Sequence, residues 1–126
     1  MKTSGLAAYV LAGGITVIAA HYGVPKSLGA HPFWAISIAW TGAPIGVVLA
    51  FAFRALKWRW TTRILIFMVL LTVADTAAHQ GRLAFAASFA ENTLAGHFWY
   101  VGWIATAASA AGLIASLLTP GRLTRP

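Results

Sequence analysis

The chain has 126 residues, of which 60% are hydrophobic and only 9% are charged. A soluble domain of this size buries about 60 to 70% of the surface that its unfolded chain exposes, so it could not hide this much apolar surface from water. The composition excludes an ordinary soluble fold and predicts a membrane protein. The sequence has no cysteine, which excludes disulfides, thiolate metal sites and cysteine nucleophiles.

The formal net charge is +7, with nine Lys and Arg residues against Asp75 and Glu91. In a soluble protein this balance would suggest a nucleic-acid partner. Here the basic residues lie between long apolar runs, which is typical of topology signals that face anionic lipid headgroups. The expected partner is therefore the lipid bilayer, and no nucleic-acid partner is expected.

The first half of the chain predicts two transmembrane helices. The first, over about 6–24, has about nineteen residues without a formal charge, which is close to the length needed to cross a bilayer. The second, over about 33–52, follows the pair His31-Pro32, and proline is tolerated in the first turn of a helix. The basic stretch that follows, Arg54 to Arg63 with Trp58 and Trp60, is typical of a connection at the headgroup level.

The second half predicts two further transmembrane helices, over about 62–78 and about 93–118. We expect Gly81 to end the first of them, because glycine weakens helices. The 82–92 stretch is then predicted to form a short interfacial or re-entrant helix. The predicted fold class is an all-α integral membrane protein, with residues 1–126 forming a single four-helix transmembrane domain.

The distribution of basic residues predicts the orientation of this domain. Seven of the nine lie on one side of the four-helix arrangement and two on the other, and the positive-rich side normally faces the cytoplasm. The first set is Lys2, Arg54, Lys57, Arg59, Arg63, Arg122 and Arg125, and the second is Lys26 and Arg82. Both termini are therefore expected on the cytoplasmic side of a bacterial-type inner membrane.

The same topology places the four histidines, His21, His31, His79 and His97, near the outward ends of the helices. Asp75 and His79 are four residues apart, so they share a helix face. A carboxylate in the bilayer costs up to about 2.5 to 3.5 kcal/mol on insertion scales, so it normally has a polar partner. The sequence therefore predicts an outward pocket of Asp75, His79, Glu91 and His97.

This pocket has several possible chemistries. Asp75 with His79 would suit a proton or cation path. Histidines with carboxylates also suit a divalent metal, and two histidines on different helices could be axial ligands of haem, so His21, His31, His79 and His97 are candidate ligands. Alternatively, histidine is at home at membrane interfaces and Asp75 only fixes helix packing. The cofactor stays open between haem, a divalent metal and none.

The aromatic residues Trp99, Tyr100 and Trp103 allow two interpretations. They form an interfacial belt, or they stack on a quinone, a pigment or a sterol-like ligand. Small residues recur every four positions at Ala108, Gly112 and Ser116, a pattern that favours close helix contacts. These residues suggest contacts with other membrane subunits or with copies of the same chain.

The leading functional hypothesis is a small inner-membrane protein that works as a homo-oligomer or as a subunit of a larger complex. Its outward pocket would handle protons, a cation or a redox cofactor, in transport or electron transfer. One alternative is an integral-membrane enzyme or electron carrier that acts on a lipid-soluble substrate. Another is a purely structural assembly subunit. No catalytic residue can be assigned, and absorption spectra with metal analysis would separate these classes.

The predicted orientation can be tested with a topology reporter. A reporter fused after Pro126 is expected to show cytoplasmic activity, because the basic residues hold that side in the cytoplasm. A fusion after Ser27, in the first connection, is the matched control and should report the opposite side. An outward signal from the Pro126 fusion would reverse the orientation.

Overall fold

The computed structural model describes residues 2–121, and their side chains from Gly5 onward. This part of the chain is helical and contains no strand, which confirms the all-α prediction. The basic residues Arg122 and Arg125 lie outside it, as does the Lys2 side chain. The helices are α1 (Lys2–His21), α2 (Val24–Ser27), α3 (Ser37–Ala55), α4 (Trp60–Ala87) and α5 (Thr93–Leu117).

Three of these helices, α3, α4 and α5, are long and apolar enough to cross a membrane. The described apolar part of α1, Gly5–His21, is shorter than those three. Helix α5 coincides with the last predicted span, and the Asn92 side chain caps it by accepting a 3.0 Å hydrogen bond from the Ala95 N–H. The chain is therefore a helical membrane protein by the length and composition of its helices.

The boundaries of the first two predicted helices are corrected. Helix α1 stops at His21 because Gly23 adopts a left-handed conformation, with φ of 85°. Helix α3 begins at Ser37 rather than near Phe33, since residues 32–36 form turns that place Trp34 against the rings of α5. The connection between α1 and α3 is therefore longer than the sequence predicted, and it covers the ends of the helices.

The expected break at Gly81 is wrong, because α4 passes through it and continues to Ala87. A Cβ atom at position 81 would lie 2.6 Å from the Trp99 nitrogen and 2.7 Å from the Ala95 oxygen. Glycine is present here because the α5 backbone lies this close. The predicted separate helix over 82–92 is not formed: residues 82–87 are the last turns of α4, residues 88–90 form a turn, and residues 91–92 lead into α5.

The four long helices alternate in direction, and α5 is at their centre. It packs against α4, α3 and α1, whereas no Cα atom of α1 lies within 8 Å of a Cα atom of α4 over the described residues. The ends of α1 and α4 and the starts of α3 and α5 form one end of the bundle, which we call the histidine end. The opposite end, with Arg54 and Arg63, is the arginine end.

Glycines set the distance between α5 and its neighbours. A Cβ atom on Gly46 of α3 would overlap the Ala108 oxygen, and one on Gly102 of α5 would lie 2.8 Å from the Ala78 Cα of α4. Gly112 similarly leaves room for the ring of Phe67. The small residues of α5 are therefore used for packing within the chain. The predicted stripe of Ala108, Gly112 and Ser116 is buried there, so it is not exposed to a neighbouring subunit.

The predicted position of Arg63 is wrong. The sequence placed this residue in a connection at the membrane surface, whereas the structure buries its side chain completely. Its guanidinium donates hydrogen bonds to the Thr119 carbonyl at 2.9 Å, the Gly121 carbonyl at 3.2 Å and the Trp58 carbonyl at 3.3 Å. It also donates to the Thr119 hydroxyl at 3.3 Å. These acceptors lie around the C-terminal end of α5, where a helix dipole favours a cation. The buried charge is thus satisfied by backbone rather than by lipid headgroups.

The close contact at Gly46 predicts a sharp difference between two glycine variants. Gly46→Ala should lower the free energy of unfolding by about 1 to 3 kcal/mol, because α3 and α5 must move apart. Gly14→Ala is the matched control, since no atom lies within 4 Å of a Cβ atom placed there. Unfolding in mixed detergent micelles, followed by circular dichroism, measures both. Equal stability of the two variants would contradict the packing of α3 on α5.

Candidate functional site

The gap between α1 and α4 opens a cavity of about 530 Å³ over one face of α5. It exists because α1 and α4 both pack near α5 without contacting each other over the described residues. Helix α2 and the residue after it close the cavity toward the histidine end. The lining residues are Ile15, Thr16, Ala19, Val24, Pro25, Leu28, Ile38, Ala39, Leu71, Thr72, Asp75, Thr76, Trp103, Thr106, Ala107, Ala110 and Ile114.

Among the described residues that line this cavity, Asp75 is the one that carries a charge, and it is an exposed residue of α4. It lies about 22 Å along the helix from the start of α4 and about 18 Å from its end, at 1.5 Å per residue. A membrane core is about 30 Å thick, so this position is inside the apolar layer if the two ends of α4 reach the interfaces. A carboxylate there requires a polar or cationic partner, which a cavity supplies and lipid tails do not.

The other polar residues of the cavity are four threonines, Thr16, Thr72, Thr76 and Thr106. Three of them donate their hydroxyl proton to a carbonyl one turn earlier in the same helix, at 3.0 Å for Thr16, 2.9 Å for Thr72 and 2.7 Å for Thr106. Their oxygen lone pairs are then left to accept hydrogen bonds. The polar groups of the cavity are therefore mainly acceptors, with a single negative charge among them.

The pocket predicted from the sequence is divided by the fold. Of its four members, Asp75 alone lines the cavity, and His79, one turn further along α4, is exposed outside it. His97 lines a separate groove with Val73 and Ala77 of α4. Glu91 is exposed in the turn before α5. The described residues contain no group of three or more His, Asp or Glu residues placed to hold a metal ion.

The four histidines lie toward the same end of the bundle but on different surfaces. His21 accepts a 3.1 Å hydrogen bond from the Trp40 indole, between α1 and α3. His31, in the connection to α3, accepts a 3.0 Å hydrogen bond from the Phe33 N–H. Each of these two rings thus uses one nitrogen for a contact within the protein. The structure does not bring the four candidate metal or haem ligands together at one point.

Trp99 and Tyr100, near the start of α5, contact aromatic rings from other segments of the chain. The centroid of the Trp99 ring lies 5.3 Å from that of Trp34 and 5.5 Å from that of His31. The centroids of Tyr100 and Trp34 are 5.2 Å apart, and all three pairs are edge-to-face. The Trp99 indole also donates a 3.0 Å hydrogen bond to the Gly29 carbonyl. Among the three predicted stacking residues, Trp103 is the one that lines the cavity. Trp99 and Tyr100 hold the connection between α2 and α3 against α5.

The sequence did not single out the threonines of the cavity. Thr72, Asp75 and Thr76 are spaced three and four residues apart on α4, so helical periodicity alone would have grouped them on one face. Thr16 and Thr106 join them only through the packing of α1 and α5, which has no local signal. The helix face that carries Asp75 could thus be predicted from the sequence, whereas the residues that α1 and α5 place beside it could not.

The hydrogen bond of Trp99 predicts how firmly the cavity is closed at the histidine end. Trp99→Phe keeps an aromatic ring but removes the donor to Gly29, which should weaken the closed position by about 1 kcal/mol. Amide hydrogen exchange over residues 24–36 should become about fivefold faster. Trp40→Phe, which removes the donor to His21, is the control and should leave this segment unchanged. Unchanged exchange in Trp99→Phe would show that other contacts hold the connection.

Comparisons of the chain with models of protein families, with curated proteins and with solved structures give no match. The function of the chain is therefore inferred from the chemistry of its own residues. The feature that bears most directly on it is the single carboxylate in the cavity between α1 and α4.

Proposed function

We propose that the chain is a small integral protein of a bacterial-type inner membrane, in which the Asp75 cavity binds a proton or a cation within the bilayer. The single observation that carries this proposal is the position of Asp75 in a largely apolar cavity. A carboxylate costs free energy inside a membrane and persists where it has a function or a partner.

The proposed arrangement has four transmembrane helices, with α1 as the first. Three helices have the length and apolar composition of spans, and α1 has 20 residues in total. The positive-rich arginine end is proposed to face the cytoplasm and the histidine end to face outward. Helix α4 is about 42 Å long, so it is expected to extend beyond the bilayer at one end or to tilt.

We also propose that the chain works in an assembly, either with copies of itself or as a subunit of a larger complex. The cavity is bounded by α1 and α4, which do not contact each other over the described residues. A cation in this gap would be exposed to lipid tails on that side. A helix from a second chain beside the gap would shield part of a bound cation from lipid and still leave a lateral path between the helices.

The proposal predicts that ion movement depends on Asp75. Wild-type protein reconstituted in liposomes with a pH-sensitive dye and an imposed membrane potential should carry protons or cations. Asp75→Asn keeps the size of the side chain but removes its charge, and it should reduce this flux by about tenfold or more. Flux in Asp75→Asn equal to the wild-type flux would eliminate the cavity as the site.

Glu91→Gln is the matched control for this experiment, because it removes the other acid of the sequence from an exposed turn. Its flux should equal that of the wild type. A loss in both variants would indicate that net charge matters rather than the cavity. Light scattering of the detergent-solubilised protein measures the number of copies in parallel, since an assembly formed from copies predicts more than one chain per particle.

A further inference from the structure

We infer that the preferred ligand of the Asp75 cavity is a hydrophobic organic monocation that reaches it sideways from the lipid bilayer. This inference rests on the proposed function, because it names the class of cation that the site takes. Three properties of the cavity lead to it: its size and lining, its charge, and the position of its opening.

The size and lining of the cavity favour an organic body over a bare ion. A volume of about 530 Å³ is within the range of about 300 to 1,000 Å³ that is typical of small-molecule sites. Twelve of the seventeen lining residues are apolar, and the remaining five are Asp75 and four threonines. A bare inorganic ion would leave most of this apolar surface unfilled. An apolar ligand body would cover it.

The charge of the cavity indicates that the ligand carries a single positive charge. Asp75 is the one charged lining residue, and no Lys, Arg or His lines the cavity with it among the described residues. A lone carboxylate balances one positive charge, whereas divalent ions usually collect several charged oxygen ligands. The indole of Trp103, which is buried and lines the cavity, offers an aromatic surface that attracts cations.

The opening of the cavity indicates the route of the ligand. Val24 and Pro25 of α2 and Leu28 line the cavity toward the histidine end. The indole of Trp99 holds the next residue, Gly29, at 3.0 Å. On the side between α1 and α4, no two Cα atoms of these helices lie within 8 Å of each other over the described residues, so the two helices are not closely packed there. A hydrophobic cation concentrates in the bilayer and would pass through this gap, between Ile15 of α1 and Leu71 of α4.

Binding of tetraphenylphosphonium to the full chain tests this inference. Equilibrium dialysis of the radiolabelled cation against detergent-solubilised protein should show saturable binding to the wild type. Asp75→Asn should weaken this binding by about tenfold or more, because the compensating charge is lost. Glu91→Gln should bind as the wild type does, since Glu91 lies outside the cavity.

Two further measurements separate charge recognition from general apolar binding. Tetraphenylborate has nearly the same size and shape with the opposite charge, and it should not compete at the site of the wild type. Ala110→Leu fills part of the cavity without changing its charge and should also weaken binding of the phosphonium cation. Folding of each variant is checked by circular dichroism, so that lost binding is compared only among folded proteins.

The outcomes distinguish this inference from the proposed function. Binding of the phosphonium cation that is equal in wild type and Asp75→Asn, or equal competition by the borate, would overturn the inference and indicate a groove for any apolar group. If the phosphonium cation does not bind but proton or inorganic-ion flux depends on Asp75, the inference fails and the proposed function stands. If binding depends on Asp75 but flux does not, the ligand class stands, and the part of the proposed function that fails is ion movement through the cavity.

Discussion

The close approach of α3 and α4 to the backbone of α5 is the constraint on which the rest of the structure depends. Gly42, Gly46, Gly81 and Gly102 are positions where a Cβ atom would collide with the backbone of the neighbouring helix. Contacts of this kind fix the rotation of each helix as well as its distance, because only the glycine face can come so near. With Ala74, Ala78 and Gly81 of α4 buried, Asp75 is turned to the adjacent side.

The position of α1 then decides what that adjacent side becomes. Helix α1 packs on α3 and α5 but leaves α4 free over the described residues, so the face that carries Asp75 borders a cavity rather than another helix. Had α1 packed on α4, the carboxylate would have needed a partner within the protein. The cavity beside Asp75 thus follows from the wide separation of α1 and α4 as much as from the residues that line it.

The sequence predicted where the helices lie along the chain better than how they pack against each other. Apolar runs identified all four long helices, and the Asn92 cap marks the start of α5 at the predicted residue. Gly81 was misread because a glycine that breaks a helix and one that admits a neighbouring backbone look identical in a single sequence. Which of these two roles Gly81 has depends on the packing of α5, which is a later segment of the chain.

The candidate site shows the same division between local and remote information. The grouping of Asp75 and His79 on one helix face is a local property and was available from spacing alone. The expected convergence of Asp75 with His97 was a guess about how α4 and α5 rotate, and the structure places the two on different sides of that helix pair. Arg63 was misplaced for a related reason, since three of its four acceptors come more than 50 residues later.

The distance along the chain between Arg63 and its acceptors has a consequence for the order of assembly in the membrane. Thr119 and Gly121 are made 56 and 58 residues after Arg63, so the guanidinium in the first turn of α4 lacks three of its four acceptors until α5 is complete. Burial of that group before then is costly. The arginine end of α4 should therefore stay at the headgroup level during synthesis, and the chain closes its bundle only when the last helix has been inserted.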